Sequence, residues 1–193
     1  MTTIIGAPLE LLHDWLPPNT QQERPQIQVA TVDSDGRPDI RTVLLSAWDE
    51  DGFAFHTDSA SRKVAQLEGN AGVALVVLWP GFSRQLVIRG VAAVQDRQAL
   101  DAAYASRSPY LRQLAWQNTT ELAQKDAVAR ASAWQRFSVE HALEELAAPD
   151  TWTGFVVHPD RLTFWQSDPD GPSHRVEYRA TGTGSWTEHH LAG

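Results

Sequence analysis

Most of the chain alternates apolar and polar residues with the two-residue period of β-strands, interrupted by short runs rich in Gly, Pro, Asp and Asn. This alternation, together with apolar runs bounded by turn residues, predicts strands at 27–32, 40–48, 53–57, 73–79, 84–94, 155–158, 162–166, 175–179 and 185–191. Asp33-Ser34-Asp35-Gly36 supplies a hairpin turn between the first two strands.

Helical patterns are confined to a few stretches. The segment 8–16 is amphipathic and ends at Pro17-Pro18, and the segment 61–68 begins at a serine and ends at Gly69-Asn70. The stretches 96–106 and 109–145 are predicted to be mostly helical, with a break at 107–109.

Short antiparallel strands joined by tight turns, with helices inserted between them, indicate a mainly β fold, a β-barrel with peripheral helices. The regular strand–helix alternation of a doubly wound parallel fold is missing. We predict a single domain over 1–193, with an N-terminal helix and linker (1–25), a helical insertion (96–148) and closing C-terminal strands (152–193).

Composition narrows the functional classes. Of 193 residues, 42% are hydrophobic and 21% are charged, as in a globular domain with a substantial core. The net charge of −8 argues against general nucleic-acid binding. The absence of cysteine excludes disulfides and thiolate catalysis. The sequence carries neither a secretory signal nor a run of roughly 18 apolar residues, which predicts a cytoplasmic protein without a membrane partner.

Anion-binding groups recur near the predicted strand edges between residues 41 and 85. They are the arginine that opens RTVLLS (41–46), the hydroxyl of FHTD (55–58), the SRK triplet (61–63) and the RQ pair (84–85). Cations, hydroxyls and one amide placed beside short strands suit a phosphate-bearing ligand with a large flat ring. The segment therefore predicts a flavin mononucleotide (FMN) site.

Each of these groups also has an ordinary explanation. Arg62 and Lys63 at the start of a helix can hold an anion beside its free N–H groups, or they can be part of a solvated cap. Arg41 can direct its guanidinium at a phosphate, or it can pair with Asp39 or Asp49.

The residues that could bind the ring of the ligand also have two interpretations each when they are considered singly. The Gln85 amide can hydrogen-bond a flavin edge or lie on the surface, and Trp165 can pack on a ring or in the core.

Three weaker signals predict no site. Asp33-x-Asp35-Gly36 lacks the later ligands of a calcium loop, and His189-His190 point to opposite faces of a strand. Glu144-Glu145 is a solvated helix end. No metal site is predicted.

The order of these motifs resembles the pyridoxamine 5′-phosphate oxidase family of flavoproteins. RTVLLS, FHT, SRK, a strand ending at Trp79 and then RQ follow one another with similar spacings. The likeness continues in WTGFVVHPDRLTFWQ (152–166) and HRVEY (174–178), and it covers about residues 8–191.

The resemblance implies a split β-barrel homodimer with FMN bound between the subunits. His56-Thr57 falls where the family has an aromatic–threonine pair, and Gln117-Asn118 is a weaker counterpart of a Gln-Ser flavin pair. The cofactor contacts that the family implies are Arg41, Thr42, Val43, Leu44, Leu45, Ser46, His56, Thr57, Ser61, Arg62, Lys63, Gln85, Gln117, Trp165 and Arg175.

The departures from the family pattern concern the substrate. Ser46 stands where the family has a lysine, and Gly171-Pro172-Ser173 replaces an Arg-x-His triplet. Of the Tyr, Arg and Ser that hold the vitamin phosphate, only Arg107 has a counterpart, because Ala103 and Leu111 occupy the other two places. Each lost charge-assisted bond costs about 1.5–3 kcal/mol, so pyridoxamine phosphate should bind far more weakly.

The resemblance implies an FMN-dependent oxidoreductase that transfers a hydride from a small acidic substrate to FMN, with oxygen as the electron acceptor; oxidation of a phenazine precursor is one example. Arg107, Ser46 and Ser173 are the candidate substrate contacts, and His174 is a candidate proton acceptor beside the flavin-centred chemistry. Two alternatives stay open. One is vitamin B6 salvage with Arg112 or His174 as a replacement phosphate ligand, and the other is a non-catalytic flavin or deazaflavin binding protein.

Overall fold

The computed structural model describes residues 2–182 and 184–193. The chain divides into two compact units, the first formed by residues 1–56, 60–94 and 154–193, the second by residues 57–59 and 95–153. The single domain expected over 1–193 stays a prediction.

The strands of the described residues form one sheet. They are β1 Gln26–Val32, β2 Pro38–Leu44, β3 Ala47–Asp49, β4 Gly52–Asp58, β5 Gly72–Leu78, β6 Arg84–Val94, β7 Trp152–Gln166, β8 His174–Ala180 and β9 Trp186–Leu191. The strand order is β2-β1-β5-β6-β7-β4-β3, and β8 pairs with both β7 and β9. β7 thus borders three strands, and the sheet forks there. The pairs of β6 with β5 and β7, and of β8 with β7 and β9, are antiparallel.

The helices of the first unit are short, and those of the second unit follow one another along the chain. The helices are α1 Ala7–Trp15, α2 Arg62–Gly69, α3 Arg97–Ala105, α4 Pro109–Gln117, α5 Thr120–Ala123 and α6 Ala127–Glu140. The first unit contains α1, α2 and a 3₁₀ turn at Pro80–Phe82.

The stretch 109–145, predicted to be mostly helical, is interrupted twice. The Thr119 hydroxyl accepts a hydrogen bond from the Leu122 N–H and so starts α5, and the Asp126 carboxylate does the same for Ala129 at the start of α6. Side chains of this kind satisfy the free N–H groups of a new helix and thereby favour a fresh start over continuation.

Two strand predictions were wrong in their extent. The predicted strand 40–48 splits into β2 and β3, because the Leu45 N–H turns to the Pro25 carbonyl and the Leu45 side chain is fully buried. The predicted strands 155–158 and 162–166 are both parts of β7, whose pairing with β6 shifts register between Arg89 and Gly90.

The core of the first unit lies on one face of the sheet. Phe164 on β7 is 2% exposed and meets the edge of Trp15 on α1, with ring centroids 5.1 Å apart, and the ring of Tyr178 on β8 at 6.0 Å. Aromatic pairs in this geometry add stability beyond the burial of their area. Leu86 on β6 lies opposite Phe164 and is fully buried. The core therefore marks the inward face of β6, β7 and β8.

Gly90→Ala should destabilise the fold, because a Cβ atom at Gly90 would lie 2.1 Å from the carbonyl oxygen of His158 on the neighbouring strand. Overpacking of this kind typically costs about 1–3 kcal/mol. Gly69→Ala is the matched control, since no heavy atom of the described residues outside the backbone of its own helix and its chain neighbours lies within 4 Å of its Cβ position. Urea unfolding measures both variants. Equal stability of the two would contradict the close approach at the register shift.

Candidate functional site

The guanidinium of Arg41 lies at the centre of a hydrogen-bonded network on β1, β2 and α2. Its Nη1 donates to the Val29 carbonyl at 3.1 Å and to the Thr31 hydroxyl at 2.6 Å. Its Nη2 donates to Asp39 and to the Gln66 Oε1, each at 2.8 Å. The pairing with Asp39, one of the two ordinary explanations that the sequence offered for Arg41, is therefore present. The network fixes a positive charge at this end of the sheet.

Asp39 lies between the two arginines of this region. Its carboxylate is 2.8 Å from the Arg41 Nη2 and 3.8 Å from the Nη2 of Arg62, whose side chain is 86% exposed. The hydrogen bond from Gln66, with the charges of Arg41 and Arg62, lowers the pKa of Asp39 against the opposing effect of burial. Asp39 is therefore ionised at neutral pH and holds Arg41 and Arg62 near each other.

The SRK triplet opens α2, as the sequence predicted. Ser61 is the N-cap residue, and its hydroxyl accepts a hydrogen bond of 2.5 Å from the Lys63 Nζ. Lys63 is 8% exposed. A helix start flanked by an exposed arginine and a lysine is an electropositive place that suits a phosphate.

Three predicted cofactor contacts lie in one row across the sheet. Gln85 on β6 is opposite Trp165 on β7, and Trp165 is opposite Arg175 on β8. Residues that are opposite in antiparallel strands project from the same face. Their neighbours Leu86 and Phe164 point to the core, so this row lies on the outward face. The register thus brings together an amide, an indole and a guanidinium that are far apart in sequence.

Phe82 adds an aromatic ring to this row. It is 78% exposed, has a φ of 54°, and its ring centroid lies 4.8 Å from that of Trp165. A positive φ is uncommon for a bulky residue. No sequence signal identified Phe82, since a phenylalanine after Pro-Gly reads as an ordinary turn residue.

Ser46 and His56 contact each other across the start of the β3–β4 hairpin. The Ser46 Oγ and the His56 Nδ1 are 2.8 Å apart, and the Ser46 N–H donates to the Ala54 carbonyl at 2.8 Å. Thr57 follows His56 on β4 and is grouped with the second unit.

The remaining residues of the RTVLLS motif have different environments. Thr42 is exposed on the edge strand β2, Val43 packs against the core, and Leu44 ends the strand half-buried. Leu45 is fully buried, with its carbonyl accepting from the Arg24 Nε at 3.1 Å. Their predicted flavin contacts stay predictions.

Arg107 lies in the second unit beside an aromatic cluster. Its guanidinium carbon is 4.5 Å from the ring centroid of Trp152, and the ring of Trp152 meets Tyr104 at 5.5 Å. Burial lowers the pKa of Arg107 to about 10, which the nearby Tyr104 opposes. Arg107 is therefore still protonated at neutral pH.

Arg112 and Gln117 are occupied by contacts within the second unit. The Arg112 guanidinium donates to the backbone carbonyls of Arg107, Ala105 and Glu144. The Gln117 Nε2 donates to the Ala133 carbonyl at 3.1 Å, and its Oε1 accepts from Gln113 at 3.0 Å. Both side chains hold helices together here, which weakens the case for Arg112 as a replacement phosphate ligand.

In the first unit, His174 begins β8 and Ser173 directly precedes it. Ser173 is half-buried and lies close to Gly193, where an added Cβ would collide with the Ser173 hydroxyl. His174 is 78% exposed, and its Nε2 is 3.4 Å from the Asp168 carboxylate. The structure thus places His174 at the surface, in contact with an acid.

Glu177 is a buried carboxylate two residues from Arg175. It is 6% exposed and accepts from the Arg179 Nε at 2.7 Å and from the Thr163 hydroxyl at 3.1 Å. Burial alone raises the pKa of Glu177, but these hydrogen bonds and the charges of Arg161 and Arg179 outweigh it and lower the pKa below 4.5.

Glu177→Gln should flatten the acid limb of the stability profile. Because the folded pKa is depressed, the stabilisation is complete above pH 4.5 and is lost as the pH falls through the folded pKa. Urea unfolding between neutral pH and about pH 3 measures the slope. The exposed Glu121→Gln should keep the slope of the unsubstituted protein. An unchanged slope in Glu177→Gln would argue against this ionised cluster.

The described part of the chain contains neither a membrane-spanning helix nor a cluster of metal ligands. Within it, no helix has the length and apolar character to cross a membrane. Nor do the described His, Asp and Glu residues form a group of three that could hold a metal ion.

Comparison with known families decides the relationship. The model of the pyridoxamine 5′-phosphate oxidase family matches residues 19–166, and that of the pyridoxine 5′-phosphate oxidase C-terminal dimerisation region matches residues 152–193. The chain belongs to the pyridoxamine 5′-phosphate oxidase family. The resemblance inferred from the motifs is thereby confirmed.

Curated members of the pyridoxamine 5′-phosphate oxidase family match nearly the whole chain. A pyridoxine/pyridoxamine 5′-phosphate oxidase of Bradyrhizobium sp. (strain BTAi1) is 33% identical over 191 residues, covering 96% of this chain and 88% of that protein. One of Rhodopseudomonas palustris (strain HaA2) is 34% identical over 194 residues, covering 98% and 91%.

Solved structures show the same fold. PhzG from Burkholderia lata 383, in complex with tetrahydrophenazine-1-carboxylic acid, has a TM-score of 0.77 and 24% identity, covering 96% of this chain and 92% of its own. A pyridoxamine 5′-phosphate oxidase-related, FMN-binding protein from Nostoc punctiforme has a TM-score of 0.66 and 19% identity, covering 87% of each chain. The predicted split β-barrel is confirmed.

The side chains present fit the cofactor of an FMN-binding member of this family. Arg62 and Lys63 at the start of α2 are a suitable charge complement for a phosphate, and Gln85 and Trp165 offer an amide and an aromatic surface to a ring. The network around Arg41 was only partly anticipated. Its partners Thr31 and Gln66 had no signal of their own, although Gln66 follows Arg62 by one helical turn.

Proposed function

We propose that this member of the pyridoxamine 5′-phosphate oxidase family binds FMN and oxidises a small acidic substrate, with oxygen as the electron acceptor. The observation that carries the proposal is the outward row of Gln85, Trp165 and Arg175, which the strand register assembles on the same unit as the electropositive start of α2. A ring-binding surface and a phosphate-binding helix start are the two parts that FMN requires.

The chain's own residues bind and orient. Arg62 and Lys63 would neutralise the phosphate, with Ser61 as a hydroxyl partner, while Arg41 holds Asp39 in place beside them. The Gln85 amide would hydrogen-bond the ring, and Trp165 would exclude water from it. When bound, FMN supplies the two-electron chemistry that side chains lack. In the net reaction the substrate loses two hydrogens, and oxygen takes them up as hydrogen peroxide.

An acidic substrate other than pyridoxamine phosphate is proposed on the basis of the residues at the substrate positions. Ser46 replaces a lysine, and Arg107 is a protonated anchor in the second unit. The tetrahydrophenazine-1-carboxylic acid bound in the Burkholderia protein is a cyclic carboxylic acid of this general kind. We include oxidation of such a cyclic carboxylic acid in the proposal.

The second candidate function is oxidation of pyridoxine or pyridoxamine 5′-phosphate. It is favoured by relatives of that name at 33% and 34% identity over nearly the whole chain. In this alternative Arg112 or His174 would replace the missing phosphate ligands. Arg112, however, already donates to three backbone carbonyls, and His174 already contacts Asp168.

We infer that the working form is a homodimer, because residues 152–193 match a C-terminal dimerisation region. Sedimentation or light scattering of the purified protein measures the assembly. A monomer at the concentrations used for activity assays would count against this inference.

The experiment that tests the proposed function begins with the colour of the purified protein. A bound oxidised flavin absorbs at about 450 nm. Titration of the flavin-free protein with FMN and with riboflavin then separates the contribution of the phosphate from that of the ring. FMN should bind at least about a hundredfold more tightly than riboflavin, because only FMN carries the anion. Protein that binds neither compound would overturn the proposal.

Turnover then separates the two candidate functions. Peroxide release is measured with pyridoxine 5′-phosphate, with pyridoxamine 5′-phosphate and with a panel of cyclic carboxylic acids. Efficient oxidation of the two phosphates would establish the second candidate. FMN binding without oxidation of any compound in the panel would favour a binding protein.

A further inference from the structure

Ser46 and His56 are two departures from the family pattern, and the structure places them in direct contact. Ser46 stands at the lysine of the RxVLLK motif, and His56 stands at the aromatic residue before Thr57. Ten positions apart in sequence, their Oγ and Nδ1 atoms are 2.8 Å apart. The hairpin sets this distance, because the Ser46 N–H donates to the Ala54 carbonyl and β3 pairs Ala47 with Ala54.

We propose that Ser46 and His56 form one specificity-determining pair for the substrate. The pair accepts a substrate group that carries no more than one negative charge, a carboxylate or a carbonyl, and it disfavours a phosphate dianion. This inference rests on the proposed function, since it concerns the substrate of the same flavin site.

Charge is the first reason. A lysine supplies a permanent cation and three N–H donors, which suit the oxygens of a doubly charged phosphate. A serine hydroxyl bonded to an imidazole is a polar pair without a permanent charge. It can hydrogen-bond one carboxylate or carbonyl oxygen, but it does not compensate two negative charges removed from water.

The contact between the two side chains is the second reason. A lysine at position 46 would take the hydroxyl away from the His56 Nδ1 and bring an ammonium group to the imidazole. A tyrosine at position 56 would take the imidazole away from the Ser46 Oγ. Because each replacement removes the other residue's partner, the two positions should act together rather than independently.

The test introduces, in the FMN-loaded protein, the residue types that the family has at these positions, a lysine and an aromatic residue. The variants are Ser46→Lys, His56→Tyr and the double variant. The probes are pyridoxine 5′-phosphate and pyridoxine, which share a ring, differ in the phosphate and lack an aldehyde that could react with a new lysine. Binding is measured by the change in the flavin spectrum or by calorimetry. Ser138→Lys with His141→Tyr, at exposed positions of the second unit, is the matched control.

The double variant should bind pyridoxine 5′-phosphate at least about tenfold more tightly than the unsubstituted protein, with no comparable gain for pyridoxine. Each single variant should achieve less than half of that gain on a logarithmic scale. Three results would contradict the proposed specificity-determining pair: tighter binding of both probes, no tighter binding of either probe, or the full gain in affinity from Ser46→Lys alone. Failure of the unsubstituted protein to take up FMN would instead overturn the proposed function.

A smaller substitution covers the case in which the double variant does not fold. Ser46→Ala removes only the hydroxyl, and phenazine-1-carboxylate serves as a flat carboxylate probe. The affinity ratio of this carboxylate to pyridoxine 5′-phosphate should fall by about tenfold in Ser46→Ala, because one hydrogen bond to the carboxylate is lost. An unchanged ratio would show that the contact between Ser46 and His56 stabilises the β3–β4 hairpin and does not determine substrate specificity.

Discussion

Replacing Arg62 and Lys63 by alanine is expected to lower the affinity for FMN at least about a hundredfold, and so to yield a colourless protein after purification. Each charge-assisted bond to a phosphate contributes about 1.5–3 kcal/mol, and the variant removes two such partners at the start of α2. Quenching of FMN fluorescence on titration measures the change. Riboflavin, which lacks the phosphate, should bind the variant and the unsubstituted protein about equally.

Two further variants make this result interpretable. Arg62→Ala alone leaves the buried Lys63 in place and alters a side chain that is 86% exposed, so folding should be retained. Arg97→Ala with Lys125→Ala removes the same two charges from exposed positions in the second unit and should leave FMN affinity unchanged. Stoichiometric FMN in the Arg62/Lys63 variant would show that the phosphate binds elsewhere.

Arg41→Ala should give the second large effect, in stability rather than in affinity. The change deletes both Nη groups and leaves the Thr31 hydroxyl and the Val29 carbonyl without these donors, on residues that are 1% and 0% exposed. A buried polar group that loses its hydrogen bond costs about 1–3 kcal/mol. We expect the free energy of unfolding to fall by about 2–4 kcal/mol, measured by urea denaturation.

The surface pair of Arg97 and Asp101 provides the comparison. These residues are one helical turn apart on α3, 2.9 Å from each other and more than half exposed, so Arg97→Ala should cost only about 0.3–0.5 kcal/mol. If Arg41→Ala were no more damaging than Arg97→Ala, the network on β1, β2 and α2 would contribute little to folding. Full stability with lost FMN binding would instead assign Arg41 to the ligand alone.

The sequence predicted most strands because their alternation is local. The SRK helix start was predicted for the same reason, since the cap and the helix end lie within ten residues. The split between β2 and β3 was missed, because burial of Leu45 and its bond to the Pro25 carbonyl depend on the segment before β1. The breaks before α5 and α6 were also missed, although Thr119 and Asp126 are residue types that commonly cap the start of a helix.

The site was predictable residue by residue but not as an arrangement. Gln85, Trp165 and Arg175 could be named from the family pattern, yet only the pairing of β6, β7 and β8 shows that they share a face. Likewise, the family pattern identified Ser46 as a departure and His56 as the counterpart of an aromatic residue, without relating the two. Their contact depends on the pairing of β3 with β4, which cannot be read from their separation of ten residues in the sequence.

The position of Asp39 has a consequence for the protein before any cofactor arrives. Asp39 lies 2.8 Å from Arg41 and 3.8 Å from Arg62, so the chain carries its own counter-ion at this place. Mutual repulsion of the two guanidinium groups is therefore already balanced in the flavin-free protein. We therefore expect this end of the sheet to fold without a bound phosphate, so that folding does not depend on the supply of flavin.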